Sequence, residues 1–178
     1  MFADPPSRED ARAEFGLPAD RFLIVYVGSL GPVHGIKYTL DAVRLAAERG
    51  AELTFVLFGE GTMMDEVAEV AAEFPDHLIQ PGRILRSRVP AALASADVTL
   101  TTVSDEPVLR TTCSNKLFDA MAAGRPQIVN LPGWNTEVVC GNDIGYAAEP
   151  ASGASILEAA LRAQADPERG AKGERARE

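Results

Sequence analysis

The chain has 178 residues, of which 46% are hydrophobic and 24% are charged, a composition typical of a globular domain with a packed core. Its formal net charge of −9 argues against nucleic acid or an anionic membrane as the main partner. Two cysteines are too few for a disulfide framework, which favours a reducing cytoplasm. No apolar run reaches the roughly 18 residues of a membrane-spanning helix, and the N-terminus lacks the basic and apolar regions of a signal peptide.

In chain order, the sequence alternates between short apolar runs typical of strands and amphipathic patterns typical of helices. Strands are predicted at residues 22–27, 53–58, 78–80, 98–102, 127–130 and 145–147. Helices are predicted at residues 36–49, 62–74, 87–94, 115–123, 135–140 and 152–165. Apolar strands that are each followed by a helix predict a Rossmann-like, three-layer α/β/α fold around a parallel sheet of about six strands.

The composition also divides the chain into three parts. Residues 1–20 are predicted to form an entry segment, or linker, and residues 21–165 the globular domain. Residues 166–178 are charged and poor in apolar side chains, so this tail is expected to fray, or else to form a helix whose docking surface is missing. Within the domain, Thr62 followed by Asp65 predicts a side-chain cap at the start of the second helix.

Three glycine-containing loops follow the first three predicted strands, at residues 28–31, 59–61 and 81–83. Ligands of an open parallel sheet bind at the carboxyl ends of its strands, and glycine lets the backbone approach a ligand closely. None of these loops matches the G-x-G-x-x-G dinucleotide fingerprint, and the chain has no G-x-x-x-x-G-K-[ST] phosphate loop. Dinucleotide oxidoreductases and P-loop hydrolases are therefore disfavoured.

The segment S-N-K-L-F-D-A-M-A-A-G-R-P carries the clearest functional signal. Ser114 and Asn115 are residue types that begin helices well, and Lys116 adds a cation where helix-terminal N–H groups favour phosphate. Apolar residues recur behind them at helical spacing, and Gly124 with Pro126 ends the helix. The pattern predicts a half-buried helix whose N-terminus binds a phosphate-bearing ligand.

Five motifs, in this order, resemble the C-terminal, donor-binding domain of a GT-B glycosyltransferase of family 4, also called group 1. They are Y-V-G-S-L-G-P-V-H-G, V-L-F-G-E-G-T, V-P-A-A-L-A-S-A-D, N-K-L-F-D-A-M-A-A-G-R-P and G-W-N-T-E-V-V. The last of them, followed by D-I-G-Y, resembles a subgroup that builds bacterial surface polysaccharides. The resemblance covers roughly residues 22–165 and implies one half of a GT-B fold. It also implies an N-terminal, acceptor-binding domain in the same parent enzyme, without which the chain should bind donor weakly and transfer nothing.

The resemblance implies roles for the residues at the N-terminus of the predicted helix. Asp119 stands where the family usually has a glutamate that accepts hydrogen bonds from ribose hydroxyls. Ser114, Asn115 and Lys116 would meet the diphosphate through N–H groups, a side-chain amide and an ammonium group. The family's motif also has an earlier acid, whose position is occupied here by Thr111, so the contacts of the sugar hydroxyls are left open.

The other implied contacts lie in loops. Arg83 and Ile84 stand where related enzymes contact the base, while His34 and Arg110 would supply positive charge to the diphosphate. The complete predicted set of donor-binding residues is Gly28, Ser29, His34, Gly59, Arg83, Ile84, Arg110, Ser114, Asn115, Lys116 and Asp119. No catalytic residue and no metal ligand are assigned.

The resemblance implies a retaining enzyme that transfers a sugar from a nucleotide diphosphate, most commonly UDP, to a surface polysaccharide or glycolipid without a metal or other cofactor. Its location is expected to be cytoplasmic, or peripheral at the inner face of the membrane. Two alternatives stay open: an epimerase-like enzyme domain that acts on sugar nucleotides, and a non-catalytic flavodoxin-like or regulatory nucleotide-binding module. The G-W-N-T-E-V-V segment disfavours the first, and the absence of clustered acids in the loop at 28–31 disfavours the second.

Overall fold

The computed structural model describes residue 2 and residues 5–178. A six-stranded sheet in the order β3-β2-β1-β4-β5-β6 lies at its centre, and every neighbouring pair of strands is parallel. The strands are β1 (Phe22–Val27), β2 (Leu53–Phe58), β3 (Leu78–Gly82), β4 (Val98–Thr101), β5 (Gln127–Val129) and β6 (Gly145–Ala147). The strand order reverses between β1 and β4, so the connections that leave their carboxyl ends diverge and open a crevice there.

Helices cover both faces of this sheet. They are α1 (Arg8–Phe15), α2 (Ile36–Glu48), α3 (Met64–Glu73), α4 (Val89–Ala94), α5 (Asn115–Ala122), α6 (Trp134–Gly141), α7 (Gly153–Ala165) and α8 (Arg169–Arg177). Three 3-10 turns span Pro32–His34, Arg86–Arg88 and Pro107–Thr111. The predicted Rossmann-like, three-layer fold with six parallel strands is confirmed.

Alternation along β1 sends its side chains into two separate cores on opposite faces of the sheet. Ile24 and Tyr26 of β1 pack with α2, α3 and α7 on one face, whereas Leu23 and Val25 pack with α4 and the segment after α1 on the other. Both sets of side chains are fully buried. This two-sided burial explains why the strands read as continuous apolar runs rather than as alternating patterns.

A buried ion-pair cluster ties α1 to the amino edge of the sheet. The Asp97 carboxylate accepts hydrogen bonds from Arg12 Nη2 at 2.6 Å, from Arg8 Nη1 at 2.7 Å and from the backbone N–H of Leu23 at 2.8 Å. Arg12 and Asp97 are both buried. The predicted entry segment, residues 1–20, therefore contains a helix, α1, that is docked on the domain. Its arginines are bound by Asp97, which is distant from them in the sequence.

The predicted fraying of the charged tail, residues 166–178, is wrong, since the structure has α8 there. Asp143 pairs with Lys172, and also with Arg175 at 2.5 Å. Gly173 is buried against the turn that ends α5, where a larger residue would collide with backbone. Long-range ion pairs and small side chains thus dock a helix that carries almost no apolar surface.

Two predicted helix starts are also wrong. The helix predicted at 62–74 begins at Met64, and Thr62 does not cap it, because the turn before it is fixed instead by the Met63 N–H donating to the Leu30 carbonyl at 3.0 Å. The helix predicted at 87–94 is preceded by a 3-10 turn and begins at Val89. Helix α5 begins at its predicted residue, and Gly124 follows it in the left-handed conformation.

Within the described part of the chain, no helix is both long enough and apolar enough to cross a membrane. This agrees with the sequence, in which no apolar run of that length occurs.

We expect Asp97→Ala to reduce the free energy of unfolding by about 3 kcal/mol or more, because removing one partner of a buried pair leaves an uncompensated charge. The matched control is Asp41→Ala, which breaks a solvent-exposed pair with Arg44 and should change stability by less than about 1 kcal/mol. Urea unfolding followed by circular dichroism measures both variants. Equal losses for the two would contradict the structural role given to Asp97.

Candidate functional site

The loops that follow β1, β2 and β3 form a groove of about 330 Å³ at the carboxyl edge of the sheet. Its walls include five of the predicted residues, Gly28, Ser29, Gly59, Arg83 and Ile84. A second cavity of about 170 Å³ adjoins this groove and extends to α5, where Lys116 and Asp119 line it. Gly28 lines both, as do Val27 and Val89. Five predicted loop residues and two predicted helix residues therefore line two cavities that meet at Gly28.

The floor of the groove is backbone, because two glycine turns cross in direct contact. Gly28 donates its N–H to the Phe58 carbonyl at 2.9 Å, and Gly59 donates its own to the Gly82 carbonyl at 3.0 Å. A Cβ atom on Gly59 would overlap the carbonyl oxygen of Gly28. A Cβ atom on Gly28 would overlap the Lys116 side chain. Both turns therefore need glycine for close approach, and both glycines also have positive φ angles, 159° at Gly28 and 151° at Gly59.

Lys116 places its ammonium group where the groove and the second cavity meet. Its Nζ lies 5.5 Å from the centroid of the Tyr26 ring, within the range of a cation–π interaction. Burial lowers the pKa of Lys116, and the Asp119 carboxylate acts in the opposite direction. The site thus holds a positive charge that is partly removed from water, a state that an incoming anion would stabilise.

Tyr26, which sequence reasoning missed, lies beneath this lysine. Its side chain is fully buried, and its hydroxyl donates to the Ser29 carbonyl at 2.8 Å. Burial raises the pKa of Tyr26, so the hydroxyl remains a neutral donor. The sequence does contain a signal that could have identified Tyr26: it is the one side chain with a hydroxyl group in an otherwise apolar strand, two positions before a glycine turn.

His34 ends the 3-10 turn that follows the first loop. This turn is fastened to the loop after β4, since Thr102 Oγ1 donates to the His34 carbonyl at 2.8 Å and the Ser104 N–H donates to the Val33 carbonyl at 2.9 Å. Burial, and secondly the charge of Lys116, lower the pKa of the His34 imidazole. Neither cavity includes His34 in its lining.

Besides His34, three further predicted residues lie outside the linings of both cavities. Arg110 is exposed and pairs with Asp105 at 3.1 Å. Ser114 precedes α5 at the N-cap position, but its side chain makes no capping hydrogen bond. Asn115 is exposed at the first residue of the helix. Their contacts with a ligand stay predictions.

The mouth of the larger groove carries an ion pair that sequence reasoning also missed. Arg83 Nη1 lies 3.3 Å from Glu60 Oε1, and both side chains are largely exposed. Ile84 packs partly against the apolar core behind the groove. Glu60 lies between two glycines of the second loop, which was the signal that could have identified it.

Two buried asparagines hold the long loop that leads from β4 to α5. The side chain of Asn130 accepts from the Val103 N–H and donates to the Val103 carbonyl, both at 2.9 Å. Asn135 Nδ2 donates to the Thr112 carbonyl at 2.8 Å. These bonds to backbone fix the path of the loop and therefore the position of the α5 N-terminus.

Metal ligands are not grouped in the part of the chain that the structure describes: no cluster of three or more His, Cys, Asp or Glu side chains could hold an ion. Cys113 and Cys140 are exposed and free. The expectation of a metal-independent reaction stays a prediction.

The parallel sheet, whose strand order reverses between β1 and β4, and the cavities at the carboxyl ends of its strands define an open α/β domain of Rossmann-like type. Residues 21–166 match the family model of the glycosyl transferases group 1, and the chain belongs to that family. The 2-deoxystreptamine glucosyltransferase of Streptomyces kanamyceticus is 26% identical over 127 residues, which make up 70% of this chain and 32% of that enzyme. The chain thus spans about a third of the length of the curated relatives it matches.

Solved structures of glycosyltransferases have the same fold as this chain. Anabaena Alr3699/HepE, determined in complex with UDP, matches this chain with a TM-score of 0.79 at 19% identity. The match covers 98% of this chain and 48% of the HepE chain. The C-terminal domain of LpcC from Francisella tularensis, a glycosyl transferase group 1 family protein, matches with a TM-score of 0.79 at 17% identity. That match covers 99% of this chain and 92% of the LpcC domain. At these identities the likeness establishes the fold. The predicted family and fold are both confirmed.

We expect Gly59→Ala to reduce the free energy of unfolding by roughly 2 kcal/mol or more, because its Cβ would displace the Gly28 turn. Gly170→Ala is the matched control, since Gly170 has open space around it and lies in α8, where alanine is favoured. Urea unfolding of both variants tests this crossing. A Gly59→Ala protein as stable as the control would show that the two turns do not pack as described.

Proposed function

We propose that this chain is the donor-binding part of a retaining glycosyltransferase and that the groove holds a nucleotide-diphosphate sugar, with UDP as the nucleotide. One observation carries the proposal. The half-buried ammonium group of Lys116 lies over the Gly28 backbone at the point where a groove and a second cavity meet. In a nucleotide-diphosphate sugar the diphosphate follows the ribose and precedes the transferred sugar, so with the nucleoside in these cavities its charge would lie beside the Lys116 ammonium group.

The N-terminus of α5 supports a diphosphate at this junction. The N–H groups of the first turn of a helix lack partners within the helix, and the helix dipole favours an anion beside them. Lys116 belongs to that first turn. A bound diphosphate would also act against the burial that lowers the pKa of Lys116. The chain's overall charge of −9 makes a local arrangement of this kind necessary for binding an anion.

The two cavities provide places for the base and the ribose. The larger groove is in the size range of small-molecule sites, and its walls combine the glycine turns with the apolar side chains of Ile84 and Val89. A planar base would fit between them, with Arg83 and Glu60 at the mouth. Asp119 lies one turn after Lys116 on α5 and lines the second cavity, where its carboxylate would accept hydrogen bonds from ribose hydroxyls.

The proposed mechanism is electrostatic. Cleavage of the anomeric C–O bond leaves negative charge on the departing diphosphate, and the Lys116 ammonium and the α5 N–H groups would stabilise that charge where it develops. Retention of configuration and independence from metal ions are carried over from the family resemblance. A polysaccharide or glycolipid acceptor is proposed from the G-W-N-T-E-V-V motif alone.

The distribution of apolar surface supports a second domain opposite the groove. Among the described residues, the exposed large apolar side chains all follow carboxyl ends of strands, at the edge where the groove lies: Val33, Leu85, Val108, Phe118 and Trp134. The rings of Phe118 and Trp134 are 6.1 Å apart. Apolar side chains concentrated at one edge favour coverage by another surface. We therefore propose that the acceptor-binding domain of a longer parent enzyme covers this edge.

The family match gives no support to the epimerase-like or regulatory alternatives. The free cysteines favour a reducing compartment, and we place the parent enzyme in the cytoplasm, with any membrane association peripheral.

Calorimetric titration with UDP, GDP, ADP and uridine tests this proposal on the chain and on Lys116→Met. We expect saturable binding of UDP, weakened about tenfold or more by the substitution, since a charge-assisted contact contributes roughly 1.4 kcal/mol or more. Uridine, which has no phosphate, should bind both proteins equally.

Lys37→Met, which removes an exposed lysine from α2, is the matched control and should bind UDP as the unaltered chain does. Unchanged UDP affinity in Lys116→Met would contradict the proposed site. Preference for ADP or GDP would overturn the choice of uridine.

A further inference from the structure

We propose that Tyr26 is a positioning residue of this site: its ring holds the Lys116 ammonium group, and its hydroxyl fixes the turn over which the lysine lies. The inference rests on the proposed function, because it assumes that Lys116 meets the diphosphate. Tyr26 itself lines neither cavity.

Three groups are in mutual contact around the Gly28 backbone. The Lys116 Nζ is 5.5 Å from the Tyr26 ring centroid, and the Tyr26 hydroxyl donates to the Ser29 carbonyl. A Cβ atom built on Gly28 would overlap the Lys116 stem and would come within 3.1 Å of the Tyr26 hydroxyl oxygen. The glycine backbone is therefore enclosed by the lysine and the tyrosine, and Tyr26 contacts both halves of the site.

The hydroxyl distinguishes Tyr26 from an ordinary core residue. The other side chains of β1 are all hydrocarbon, and every one except the half-buried Val27 is buried. A buried hydroxyl is costly unless it is hydrogen-bonded. Here the hydroxyl donates at 2.8 Å to the carbonyl that follows the Gly28 turn. The bond fixes the orientation of that peptide group, which lines the groove.

An aromatic ring suits this position better than a carboxylate would. A ring face attracts an ammonium group through its quadrupole but does not neutralise the charge. A carboxylate in direct contact with Lys116 would form an ion pair and would compete with an incoming diphosphate. With Tyr26 beneath it, Lys116 is held in place by a neutral group rather than by a direct ion pair.

Three variants test the inference by titration with UDP and with uridine. Tyr26→Leu removes the ring and hydroxyl, and we expect its UDP affinity to fall about fivefold or more, with uridine binding unchanged. Tyr26→Phe keeps the ring and loses only the hydrogen bond to Ser29, so its loss of UDP affinity should be smaller, about threefold or less. Tyr146→Leu is the matched control, because Tyr146 is also buried beneath a lysine, Lys172, at 5.7 Å, but lies on β6 away from the groove.

A second measurement does not depend on the leucine variant folding. The side-chain protons next to Nζ of Lys116 should be shifted upfield by the ring current of Tyr26 in NMR spectra of the unaltered chain and of Tyr26→Phe. Lys37 and Lys172 are the other lysines of the chain, so substituting Lys116 with arginine assigns the signal.

An unshifted Lys116 signal in the unaltered chain would overturn the inference, as would a folded Tyr26→Leu that binds UDP as tightly as the unaltered chain. A different result separates the inference from the proposed function. If the unaltered chain shows the ring-current shift but binds no nucleotide, the donor site is wrong, and with it the diphosphate role of the pair, while the contact between Tyr26 and Lys116 stands.

Discussion

The Lys116 side chain can cross the crevice between β1 and β4 only because the backbone at Gly28 carries no side chain. The reversal of strand order at these two strands opens the crevice, and α5, which follows β4, delivers the lysine to it. Gly59, on the neighbouring strand connection, must also be glycine, because the Gly28 carbonyl packs directly on it. A groove with a backbone floor and a cation above it follows from these two contacts.

The two edges of the sheet use positive charge in different ways. At the amino edge, Arg12 donates hydrogen bonds to the Asp97 carboxylate and to several backbone carbonyls. These bonds attach α1 to the sheet. At the carboxyl edge, Lys116 lies over an aromatic ring instead, and the ring leaves its charge unneutralised. An arginine that is fully paired stabilises the fold, whereas a half-buried lysine above a ring is available to an anion. The contrast supports placing the ligand at the carboxyl edge even though the chain as a whole is acidic.

Sequence reasoning predicted the parts of this structure that depend on local pattern. The apolar runs of β1 and β2 and the polar start of α5 are local, and the structure has these elements at the predicted positions. It failed where the cause is a contact between distant residues. Helix α8 docks through Asp143, and α1 docks through Asp97, and neither pairing is visible in the segments themselves. The same limit applies to the site: Gly28 and Lys116 were both predicted, but Tyr26 acquires a role only once the fold brings Lys116 above it.

Photoaffinity labelling with 5-azido-UDP, followed by mass spectrometry of the labelled peptides, tests the central claim most directly, since it reports where the base lies. The account predicts adducts in the loops that follow β2 and β3, at residues 59–61 and 83–89, and predicts that excess UDP suppresses them. Adducts at the amino edge of the sheet, or adducts that excess UDP does not suppress, would contradict it.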